Sequence, residues 1–169
     1  MKRVTRPHRW SITGLVVIAF ACGGDPYERY AASIQDDIVA ARADAFQMTS
    51  RIQRTVVHNQ IPADSFPVVA QAVSRAARTV RDRATHFARV TPPPDLAPYH
   101  QAMSEALTQM AVALDSLATV FDECARPGGT PCQEHLDRVS RQFEFVGEDV
   151  SNGKTVLQRM LLRHGVMLR

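Results

Sequence analysis

Apolar residues recur along most of this chain at intervals of three and four, the spacing that draws a single stripe along one side of a helix. The first stripe runs through Tyr30, Ile34, Ile38, Ala41, Ala45, Met48, Ile52 and Val56. Asp25 can cap it, Pro26 suits the first helical position and Glu28 completes a capping-box-like start. The pattern stops between Asn59 and Pro62. A second helix is expected from Asp64 or Ser65, with Pro67 tolerated because it falls in the first turn. Its stripe is Phe66, Val69, Val73, Ala77, Val80, Ala84 and Phe87, and Arg75, Arg78, Arg81 and Arg89 occupy the opposite face. Thr91-Pro92-Pro93-Pro94 ends it, since proline supplies no amide donor and pushes the residue before it out of helical geometry.

The third stripe is the most regular: Leu96, His100, Met103, Leu107, Met110, Leu114, Leu117, Phe121 and Cys124, with Asp95 as the expected cap. Thr130-Pro131-Cys132-Gln133 resembles a capping box with proline at the first position. The fourth stripe follows as Leu136, Val139, Phe143, Val146, Val150, Gly153, Leu157 and Met160. Gly153 should weaken or kink this helix, at about 1 kcal/mol relative to alanine. The stripe keeps its phase across the glycine, so one long helix is expected, ending near Gly165.

Four amphipathic helices joined by short, proline-rich turns pack most simply as neighbours running in opposite directions. The expected fold is therefore all-α, an antiparallel up-down-up-down four-helix bundle over residues 26–169. An extended coiled-coil dimer of helical hairpins would use the same spacing. In the up-down arrangement the starts of helices one and three share a pole with the ends of helices two and four.

The residues before the bundle change the picture. Lys2, Arg3, Arg6 and Arg9 make a basic start, an apolar run from Leu15 to Phe20 follows, and small residues flank Phe20 just before Cys22. That order is the order of an export signal. Ala19-Phe20-Ala21-Cys22 resembles the lipobox of bacterial lipoproteins, departing from it at Ala19, where leucine is commonest. The resemblance implies cleavage of residues 1–21, diacylation of Cys22 and a short tether over residues 22–25. It also implies a lipid-anchored protein of the cell envelope. Gly23 offers no acidic retention signal, which implies the periplasmic face of the outer membrane in a cell with two membranes. Ala19-x-Ala21 also fits an ordinary secretory signal, which would leave Cys22 a bare thiol. Cleavage before a cysteine followed at once by Gly23-Gly24 favours the lipoprotein. An uncleaved anchor is disfavoured because Ser11 and Thr13 interrupt a stretch that would need about 20 apolar residues to span a bilayer.

The signal carries four of the 20 basic residues and no acid, which leaves 16 basic residues against 17 acidic ones. A nucleic-acid footprint needs a basic domain, so none is expected to bind here. Beyond Cys22 the chain has two cysteines, Cys124 and Cys132, bracketing a turn-rich stretch that contains Pro127-Gly128-Gly129. A disulfide closing this loop suits an oxidising compartment and would contribute about 2–3 kcal/mol in the chain-entropy account.

Candidate chemistry is sparse. His86, His100 and His164 all map to the pole nearest Cys22, with Met103 about a turn inward. Bundle cores can hold a metal or haem between facing helices through such side chains. Neither a C-x-x-C-H run nor a Glu-x-x-His pair accompanies them, and His100 is read as a boundary residue bonded to the proline turn. Asp36-Asp37 and Glu148-Asp149 are adjacent acids that diverge by about 100° on a helix, and are read as solvated faces. Arg29, Arg81, Arg83, Arg89, Arg159, Arg163 and Arg169 map to the same membrane-proximal pole, as a collar that could meet anionic headgroups, although solvation of helix faces is the slightly favoured reading. No catalytic constellation, phosphate loop or cofactor motif is present. The expected function is a non-catalytic binding or interaction module of the envelope with an unspecified protein partner. The alternative is a carrier of haem, metal or a small ligand at the histidine pole.

Overall fold

A computed structural model describes residues 24–56, 65–126 and 132–168. Residues 1–21 and Cys22, and with them the expected signal and acylation site, lie outside the described residues. Among the described residues there are four α-helices: α1 (Pro26–Val56), α2 (Phe66–Arg89), α3 (Ala97–Cys124) and α4 (Cys132–Leu162). Each packs on its sequence neighbours, and α1 also packs on α4, so the ring of helices closes within one chain. The fold is the expected up-down-up-down bundle. None of the described helices is long and apolar enough to cross a membrane.

The stripes are the core. Ile34, Ile38, Val73, Val80, Phe87, Met103, Leu107, Leu114, Phe121, Phe143 and Leu157 are all buried. Helix α3 packs along both α2 and α4. Its approach to α2 is shaped by small side chains, because Ala70, Ala77 and Ala84 recur every seven residues on α2, and Ala111 and Ala118 do the same on α3. All five are buried. Short side chains at one heptad register bring two backbones near the close end of the usual 8–10 Å range.

The helix ends follow local chemistry. The Asp25 carboxylate accepts a 2.8 Å bond from the Tyr27 amide, with Pro26 at the first position, as expected. At the other end of the chain Gly165 adopts φ +74°. The Val166 amide donates to the Leu161 carbonyl and the Gly165 amide to Leu162, the paired bonds of a Schellman turn. Val166 and Leu161 are both buried, so the apolar contact that accompanies this turn is in place. The tail then folds back, and the Leu168 amide donates to Oε1 of Gln158 at 2.9 Å.

Two expectations are corrected. Asp95 does not cap α3. It lies in a 3-10 turn over Pro94–Leu96, and Leu96 occupies the cap position without a side-chain bond. As expected, α4 is one long helix that runs across Gly153 to Leu162. The glycine is a close-approach position: a Cβ there would stand 2.9 Å from Sδ of the fully buried Met103. Asp37 is not a solvated acid but is 4% exposed, while Asp36 beside it faces water. Cys124 closes α3 and Cys132 opens α4. The connection over residues 127–131 and the Cys132 side chain lie outside the described residues, and with them the expected pairing of the two cysteines.

Candidate functional site

The bundle topology brings the start of α1, the end of α2, the start of α3 and the end of α4 to one pole, and polar side chains tie these ends together. Oδ1 of Asp95 accepts a bond from the Tyr27 hydroxyl at 3.0 Å, and its Oδ2 accepts one from Nε2 of His164, also at 3.0 Å. The rings of Tyr27 and His164 stack with centroids 3.6 Å apart. One carboxylate on the α2–α3 connection thus joins α1 to the last turn of α4. Asp95 is available for this because it is not spent on a helix cap.

Beneath this clasp lies His100, 7% exposed. Its Nδ1 is 2.9 Å from the Tyr30 hydroxyl on α1, and its ring stacks on Phe87 of α2 at 4.4 Å. The partner is a tyrosine of another helix, not the proline turn expected for a boundary residue. On the flank of the bundle, Nδ1 of His86 donates to Oδ2 of the buried Asp37 at 2.6 Å, and Nη1 of Arg83 stands 3.5 Å from Oδ1. Two α2 residues thereby cover an acid that α1 turns inward.

The three candidate histidines share a pole but not a site. His86 is held by Asp37, His100 by Tyr30 and Phe87, and His164 by Asp95 and Tyr27. Met103 packs toward Gly153 on α4. Among the described residues no group of three or more His, Cys, Asp or Glu side chains is placed to hold a metal ion. Arg81 and Arg83 leave the expected arginine collar, since Arg81 pairs with Asp115 on α3 and Arg83 with Asp37. Arg29, Arg89, Arg159 and Arg163 remain exposed near the pole, and Arg169 lies outside the described residues.

No protein-family model, curated protein or solved structure matches the chain. The chemistry of the pole must therefore be read from its own residues.

Burial lowers the pKa of His100 and raises that of Tyr30, so both stay uncharged at neutral pH. Partial desolvation pushes Asp95 up, but bonds from Tyr27, from its own backbone amide and from His164 outweigh it and hold the carboxyl below its usual range. The Tyr27 hydroxyl is pushed up by desolvation and by its bond to Asp95. Both depressed groups act in the same direction. The unfolded chain binds a proton at His100 near pH 6.5 while the folded chain resists it. Stability from this site is complete above that pH and is lost as pH falls through the folded value. Asp95 adds stability that is present above pH 3.8 and lost at lower pH. The melting temperature should therefore begin to fall as the pH drops below about 6.5, before carboxylates titrate. His100→Phe should flatten the part of the curve between pH 7 and 5. Parallel curves for the parent and His100→Phe would show that His100 does not set this slope.

Sequence reasoning located His100 and the pole but missed Tyr27, Tyr30, Asp37 and Asp95 as its polar framework. Tyr30 stood on a stripe and Asp95 beside a proline turn. Their partners lie 70 and 69 residues away, for His100 and His164 respectively.

Proposed function

We propose that the protein is an exported, lipid-anchored helical bundle that serves as a non-catalytic binding module of the cell envelope. One observation carries the structural part of the reading. Asp25 caps α1 only three residues beyond Cys22, so an acylated Cys22 would lie directly under the pole where the four helix ends are tied. Two acyl chains suffice for stable attachment. Exposed Arg29, Arg89, Arg159 and Arg163 are available to anionic headgroups, at about 1 kcal/mol for each basic residue near the surface.

The far pole, with the α3–α4 connection, would then face away from the membrane toward a partner. A Cys124–Cys132 disulfide is part of the proposal, and Cys124, which is not a free thiol, supports it. In a cell with two membranes the periplasmic face of the outer membrane is the proposed location.

The test is intact mass and metal analysis of protein purified in detergent from its native membrane. Loss of residues 1–21, a diacyl mass on Cys22 and one disulfide are the expected results. An unmodified Cys22 would remove the anchor. Stoichiometric haem or metal would replace the binding-module reading with the carrier one, centred on His100.

A further inference from the structure

The outer surface between α2 and α3 carries a groove that the clasp and the core do not use. Its wider part encloses about 700 Å³ between Arg75 and Arg78 on α2 and Asp115 and Asp122 on α3. A second part of about 340 Å³ continues toward the tied pole, lined by Ala84, Ala88, Ala111 and Val112. The buried alanines of the α2/α3 seam form the floor of both. On α2 the groove positions Pro67, Gln71, Ser74, Arg78, Arg81, Thr85 and Ala88 alternate by four and three, so they form one continuous strip along the helix.

Two features single this face out. Val112, an apolar side chain on the α3 wall of the groove, is 54% exposed. The charges are sorted by helix: α2 carries the arginines and α3 the aspartates. Arg81 pairs with Asp115, and Asp122 with Arg126. Arg75 and Arg78 make no ion pair among the described residues.

We infer that this face is the interface of a two-fold dimer whose axis runs parallel to the bundle. Such an axis sets α2 of one copy against α3 of the other without changing height along the helices. Because Arg75 and Arg78 share a groove with Asp115 and Asp122, they share their height as well. Each arginine therefore meets an aspartate of the second copy, twice over, and the two-fold contact is self-complementary. Val112 of each copy meets the shallow alanine-floored part of the groove next to the partner's α2. An axis perpendicular to the helices would instead oppose α2 to α2, arginine to arginine.

The available area is adequate. A 24-residue α2 is about 36 Å long, and two helices about 9 Å apart present a strip roughly 18 Å wide. Two such strips bury roughly 1,300 Å², within the usual size of a specific interface. The axis also keeps both Asp25 caps at one end, the arrangement that two anchors in one membrane require. The inference does not depend on the anchor: an unmodified Cys22 would leave it standing, and a monomeric chain would leave the anchor standing.

Sedimentation equilibrium of the purified full chain in density-matched detergent, from about 1 to 100 µM, tests it with two exposed substitutions. The parent chain should approach twice its monomer mass. Arg75→Glu and Asp122→Arg should each weaken self-association at least ten-fold, because each variant faces itself with like charges. An equimolar mixture of the two should recover the dimer, since the introduced acid then meets the introduced base on one side while the native pair remains on the other. A parent that stays monomeric to about 100 µM overturns the proposal and leaves the face to a different, acidic protein. A dimer indifferent to both substitutions, or a mixture that fails to recover it, places the interface elsewhere and overturns it equally.

Discussion

Phe87→Ala is expected to lower unfolding stability by about 3–5 kcal/mol and to move the titration of His100 upward, toward pH 6.5. Phe87 is fully buried at the end of α2, and its ring covers one face of the His100 imidazole at 4.4 Å. Removing the ring takes away apolar burial and leaves a void that the surrounding helices fill only in part. Water reaching that void would solvate the imidazolium and relieve the desolvation that now disfavours it. Urea unfolding measures the first effect. The pH dependence of the His100 ring-proton shifts in NMR measures the second. A large loss of stability with an unmoved His100 midpoint would mean that other walls keep the imidazole dry.

The second large effect separates burial from chemistry. Phe143 and Phe145 are the same residue two positions apart on α4, yet Phe143 is 1% exposed and Phe145 65%. Phe143→Ala should cost about 3–5 kcal/mol, whereas Phe145→Ala should fall within about 0.5 kcal/mol of the parent. Denaturant midpoints at an unchanged slope are the readout. Comparable losses from both substitutions would mean that Phe145 is covered in solution by something other than the described residues.

The division between what was legible and what was not follows the range of each interaction. Periodicity is local, so α2 from Phe66 and the full α3 stripe from Leu96 to Phe121 stand where the three-four spacing put them. Caps built from neighbouring residues were equally legible, as at Asp25 and Gly165. Asp95 was misread because its local context, a residue after prolines and before a stripe, matches a cap. The competing partners, Tyr27 and His164, are recruited only once four helix ends converge. Asp37 was misread for the same reason: beside Asp36 it looks like one of two solvated acids, and only α2 supplies the imidazole and guanidinium that let it turn inward. Gly153 carried a helix-weakening signal, and its counterpart, the sulfur of Met103, belongs to another helix.

At 31 residues, α1 is about 46 Å long, several times the Debye length of about 8 Å at physiological ionic strength. The two ends of this molecule are consequently separate electrostatic compartments. A proton taken up at the Asp95–His164 end changes no potential at the α3–α4 turn. Any coupling between the two ends must therefore be carried by the helices that join them and not by direct charge interaction.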